Sequence, residues 1–173
     1  IYNPPMLLYF QGNMDCVKKI CLAVVGSRAA SDYGRTTARK LGHQLATRGI
    51  SVVSGMARGI DTEAHRGTLD ARGKTIAVLG SGLNIIYPRS NKRLFHEIIE
   101  QGVVISEFPL DTNPEPGNFP MRNRIISGIS RGVVVVEARA KSGALITADY
   151  ALEQGRDVFA VPGPINRESS MGA

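Results

Sequence analysis

The 173-residue chain has no tryptophan, only two cysteines and only three histidines. Cys16 and Cys21 make a single C-x4-C pair without the second pair that a zinc ribbon needs, and His43, His65 and His96 are scattered, which argues against a metal site. Two cysteines are too few for a disulfide scaffold and read as buried or idle thiols in a reducing compartment. No apolar run approaches the roughly 20 residues of a membrane-spanning helix, and no signal-peptide pattern opens the chain, so a cytoplasmic protein is expected. Also missing are a G-x-G-x-x-G fingerprint, a Walker lysine and a recognisably spaced serine–histidine–acid set, which weighs against the common dinucleotide, phosphate-loop and hydrolase readings.

What is present describes one well-cored domain. Hydrophobic residues make up 43% and charged residues 21%, as in ordinary globular proteins. Lysine and arginine number 21 against 15 acidic residues, and this net charge of +6 favours a polyanionic partner.

Six runs rich in valine and isoleucine, ICLAVVGS, GISVVSG, KTIAVLG, GVVISEF, RGVVVVEA and RDVFAVPG, close on small or polar residues. Between them, helical patterns cover residues 34–48, 60–72, 91–101, 123–130 and 143–154. A further strand is expected over residues 6–11, MLLYFQ. Continuous apolar strands are buried on both faces, so the pattern predicts a doubly wound α/β domain with a mainly parallel sheet and helices on both sides. Ligands of such domains bind at the carboxyl ends of the strands, near the switch point.

At those ends the first strand leads into Gly26, Ser27 and Arg28, and the second into Ser54, Gly55 and the glycine-rich loop before Asp61. Bare backbone there could cradle a phosphate, although tight turning and helix–strand packing are the better account of the glycines after the second strand. Asp61 and His65, four apart, suggest a polar pair. The fifth strand ends near Glu137, expected as an acidic partner of Arg122 or Arg124, and Lys141, Ser142 and Gly143 open the next helix. In FPMRNRIISG, Pro120 is read as lying in a loop before a helix that starts at Asn123. Arg122 and Arg124 then flank a helix N-terminus beside an exposed Phe119, an arrangement suited to an anion and a stacked base. Together these residues predict a basic, glycine-lined groove.

The runs VVGSR, SGMARGIDTEAH, LGSGLNIIYPRSN, FPMRNRIISGIS and SGALITADYALEQGRDVFAVPG, with the opening YNPPMLLYFQGN, resemble the DNA-processing protein A (DprA/Smf) family from about residue 4 to residue 163. The resemblance implies an extended Rossmann-like domain, with residues 1–19 as a strand extension of a core at 20–173, that binds single-stranded DNA and passes it to the recombinase RecA in natural transformation. It also implies a homodimer, while the missing catalytic and metal-site patterns leave no catalysis and no cofactor expected. By position it makes Arg28 a principal phosphate contact, Phe119 the stacking aromatic, Arg122 and Arg124 parts of the basic pocket, and Lys141 a further backbone contact. The chain departs from the family where Pro116 and Gly117 replace a frequent lysine, where INRESSMGA follows Gly163, and in lacking small flanking domains. The rival reading is a Rossmann-like enzyme that binds or hydrolyses nucleotides. Its PGGxGT loop is missing, and Pro162-Gly163-Pro164 departs from it after the first glycine.

Overall fold

Strand β1 (Tyr9–Gly12) is followed by β2 (Cys21–Val25), α1 (Asp32–Thr47), β3 (Ser51–Ser54), α2 (Ile60–Asp70), β4 (Thr75–Val78), α3 (Lys92–Gln101), β5 (Val103–Ser106), α4 (Asn118–Gly128), β6 (Gly132–Val135), α5 (Gly143–Glu153) and β7 (Asp157–Ala160). These elements come from a computed structural model that describes residues 1–163 and 171–172. Most of INRESSMGA therefore lies outside the described residues.

The seven strands lie in the order β1-β5-β4-β3-β2-β6-β7, parallel except for β1, which runs antiparallel to β5. This is the doubly wound α/β architecture expected, and β1 lies at one edge of the same sheet. Strand β1 is shorter than the 6–11 span because Tyr9 already pairs with Ser106, the last residue of β5, and earlier residues have no partner strand left.

Alternation along the strands decides the two layers. Ala23, Val25, Val53, Ile76, Val78, Val133 and Val135 pack with Ile125 and Ile126 of α4 and Ala144, Ala148 and Ala151 of α5. On the opposite face Val24 and Val52 meet Ala38, Ile60 and Ala64 of α1 and α2, while Ala77 and Val104 meet Leu94, Phe95 and Ile98 of α3. A strand that contributes to both layers has no polar face to show, which is why its sequence is uninterruptedly apolar.

Helix α4 begins at Asn118, five residues before the expected Asn123, and includes Pro120. Proline is third in the helix, where its missing N–H would have found no intrahelical acceptor, so it marks the first turn instead of excluding it. The arginines consequently sit in the second turn, away from the free N–H groups. The chain moves outward from β2 through β3 and β4 to β5, then returns to the other side of β2 as β6. The switch point thus lies between the carboxyl ends of β2 and β6.

Candidate nucleic-acid interface

An open cleft of about 670 Å³ occupies that switch point. Its first wall is the loop after β2. The Ser27 backbone N–H donates to the Glu137 carbonyl (2.7 Å), and the Ser27 carbonyl accepts from Ile60 N (3.2 Å), so the loop is tied to both β6 and α2. Gly59 makes that approach possible: its φ is +76°, and a Cβ there would stand 2.2 Å from the Ser27 oxygen. Beyond this anchor Arg28 is exposed, with its guanidinium 4.8 Å from the centroid of the Phe119 ring. Phe119 is half-buried, and Tyr87 tilts against it at 5.7 Å between centroids. The expected exposed aromatic is therefore one member of an Arg28–Phe119–Tyr87 array, held in place by its neighbours.

The loop after β3 corrects two expectations. Gly55 N and Ala57 N both donate to Asp61 Oδ2, at 3.1 and 3.3 Å, so the bare backbone that could have cradled a phosphate already holds the chain's own carboxylate. Asp61 does not pair with His65. The His65 Nδ1 meets Thr75 Oγ1 at 2.7 Å, whereas Asp61 sits beside Arg122. Burial raises the Asp61 pKa against the lowering effect of Arg122, and burial, reinforced by Arg122, pushes His65 down to about 3. His65 is therefore neutral within the fold at neutral pH.

The two arginines of α4 part company. Residues two apart on an α-helix differ by about 200° around its axis, so Arg122 and Arg124 cannot serve one surface. Arg122 turns under the cleft, donating to the carbonyls of Gly55 (2.7 Å) and Val78, with its Nε on Asn123 Oδ1 (3.2 Å). Burial pushes its pKa down to about 10 while Asp61 counters, so it remains cationic at neutral pH. A Cβ on Gly55 would lie 2.6–2.7 Å from this guanidinium, which explains the glycine. Arg124 points the other way and grips Glu107 through two bonds of 2.6 and 2.8 Å, with further bonds to Asn3 O and Met121 O. Glu137, the expected partner, instead accepts from Ser31 N (2.9 Å) and Ser31 Oγ (3.3 Å) at the start of α1.

Ser27, Arg28, Phe119, Arg122, Asn123, Ser142 and Gly143 converge on the cleft. Asn123 is held by Arg122 and by its own bond to Gly143 O (3.2 Å), and Ser142 Oγ caps α5 through Ala144 N (3.3 Å). Gly55 lines a smaller cleft alongside, and Lys141 is exposed on the loop after β6 without lining either. Ser54 and Arg124 are corrections to the expected groove: the Ser54 hydroxyl is fully buried on Val24 O (2.7 Å), and Arg124 is committed to Glu107. Sequence reasoning missed Arg139, Tyr87 and Asp61 as lining residues. Arg139 stands two positions before Lys141 on a loop already singled out, so its charge was a usable clue. Tyr87 reads only as a loop residue, because nothing local links it to Phe119. Among the described residues no helix is long and apolar enough to cross a membrane, and no cluster of three or more metal-ligating side chains occurs.

Fold and cleft together define a doubly wound, Rossmann-like α/β domain with a basic, aromatic-walled site at its switch point. The chain belongs to the DNA recombination-mediator protein A family, whose model matches residues 1–173. It is 54% identical over 169 residues to protein Smf of Escherichia coli (strain K12), covering 97% of this chain and 45% of that protein. DNA processing protein A of Streptococcus pneumoniae superposes with a TM-score of 0.95 at 48% identity, over 99% of this chain and 60% of that one. A structure concerning the single-stranded DNA binding mode of DNA processing protein A from Helicobacter pylori gives 0.92 at 31% identity, over 98% and 78% of the two chains. The chain thus spans about half the length of the curated relatives it matches.

Proposed function

We propose that the cleft binds single-stranded DNA with little regard to sequence, and that the domain delivers the strand to RecA during natural transformation. The observation that carries this reading is the convergence of exposed Arg28 and Arg139 with Phe119 and Tyr87 on one open cleft. Arginines neutralise phosphates, and aromatic faces stack any base, so the combination suits an unpaired strand. A duplex keeps its bases stacked on one another and gains little from the aromatics. Arg28 is the principal phosphate contact and Lys141 a contact at the rim. Arg122, buried among strand-end carbonyls, fixes the floor and supplies positive potential from below. The likeness to the Helicobacter pylori protein over nearly the whole chain supports the same assignment. Residues 1–19 serve as an extension of the core at 20–173, and the domain acts without catalysis, in the cytoplasm, as a homodimer.

Binding of a labelled oligothymidine across a salt series, by wild type and by Arg28→Ala, tests the proposal. Tight wild-type binding is expected, with the logarithmic salt slope of the variant shallower by about 0.7 for each phosphate it no longer neutralises. Equal and feeble binding by both proteins, or turnover of mononucleotides without DNA, would overturn it.

A further inference from the structure

The second cleft, about 380 Å³, opens at the carboxyl ends of β3 and β4 and shares Arg28, Phe119 and Tyr87 with the first. The aromatic array is therefore a partition with space on both sides. Its other lining residues include Gly55, Arg58, Gly80, Ser81 and Pro88. Three features suit them to a nucleotide. The volume falls within the range of about 300–1,000 Å³ seen for small-ligand sites. Tyr87 and Phe119 offer aromatic surface, and Arg58 is an exposed cation at the mouth. Gly80 is needed for the geometry, because a Cβ there would stand 2.8 Å from the Phe119 ring and push the partition away from the strand end.

We infer that this second cleft is a nucleotide subsite of the same strand, in which Tyr87 stacks the base and Arg58 holds its phosphate, so that successive nucleotides lie on either side of the Arg28–Phe119–Tyr87 partition. The inference rests on the single-strand reading of the main cleft and extends it. Arg28, common to both clefts, stands where the connecting backbone must cross the partition, which makes it the natural phosphate contact between the two bases. The occupant is part of the polymer and not a free nucleotide: both clefts are open and share Arg28, Ala29 and Ala57 as well as the two aromatics, and an enclosed site would better suit a small ligand.

Equilibrium binding of labelled oligothymidine to the 173-residue chain, with Tyr87→Leu, Tyr87→Phe, Arg58→Ala and Arg28→Ala variants, tests this directly. Loss of one stacking partner is expected to weaken binding by about fivefold or more in Tyr87→Leu. Tyr87→Phe keeps the ring and should bind within about twofold of wild type. Arg58→Ala should flatten the salt slope by about 0.7. Arg58 is exposed and its removal leaves the fold intact, so this arm stands even if Tyr87→Leu is unstable. Wild-type behaviour of Arg58→Ala, whose side chain lines the second cleft and not the first, alongside a weakened Arg28→Ala, would overturn the second subsite and leave the main cleft standing. No binding by wild type would overturn both. Thymidine monophosphate that competes as strongly per molecule as the oligomer would overturn the polymer assignment.

Discussion

Replacing Glu107 with glutamine takes the negative charge from a bidentate pair while leaving its shape. The Arg124 side chain is 7% exposed and that of Glu107 22%, so water cannot compensate the cation that remains. Removing one partner of a buried ion pair costs about 3–5 kcal/mol, chiefly as the penalty of an uncompensated charge. The glutamine oxygen still accepts one bond, worth about 1 kcal/mol, and Asn3 O and Met121 O still accept two more. The net expectation is a loss of about 2–4 kcal/mol, or roughly 4–16 °C in melting temperature for a domain of this size. Thermal unfolding followed by circular dichroism reads the stability, and oligothymidine binding well below the transition reads the site. Glu107→Gln should melt early yet bind like wild type once folded, because Arg124 faces away from the cleft. An unchanged melting temperature together with weakened binding would refute the assignment of Arg124 to the fold and return it to the groove.

Two further expectations concern stability. Burial lowers the His65 pKa to about 3, so between pH 6.5 and that value the unfolded chain binds a proton that the folded chain refuses, and stability falls as the pH falls. From pH 6.5 to 4.5 the loss attributable to His65 is about 2 kcal/mol, read as the difference in pH slope of urea midpoints between wild type and His65→Gln; parallel slopes would contradict it. Asp61, whose pKa is raised, acts in the opposite direction and is common to both proteins. Gly67→Ala places a Cβ 1.9 Å from the Arg39 carbonyl, so α1 and α2 must separate, and a loss of about 1–3 kcal/mol in urea unfolding is expected. A stability equal to wild type would mean the helices can part freely.

The layering of the fold is legible in the sequence because it rests on composition over short distances. Runs such as VVSG and VVVVE leave no polar face, and glycine, serine and proline mark where each strand stops. The start of α4 is not legible in the same way, because Pro120 reads as a barrier when its place in the first turn makes it compatible with the helix. The site is only partly legible for a related reason: charge type is visible in sequence, but side-chain direction is not. Arg122 and Arg124 look equivalent until the helix phase sets one beneath the cleft and the other on Glu107. The glycine loop after β3 looks open to a phosphate because nothing in the chain order says that Asp61 folds back onto Gly55 and Ala57. Tyr87 and Phe119, 32 positions apart, meet only because the loop after β4 and the first turn of α4 come together at the same end of the sheet.

Selection of an unpaired strand by the cleft is read by competition. A labelled oligothymidine bound to the 173-residue chain is challenged with unlabelled single-stranded DNA and with duplex of equal length at one fixed salt concentration. Single strands should displace the label at concentrations where the duplex leaves it bound. Equal displacement by the duplex would contradict the claim, because phosphate neutralisation alone would then account for binding and the stacking surface of Phe119 and Tyr87 would have no role in it.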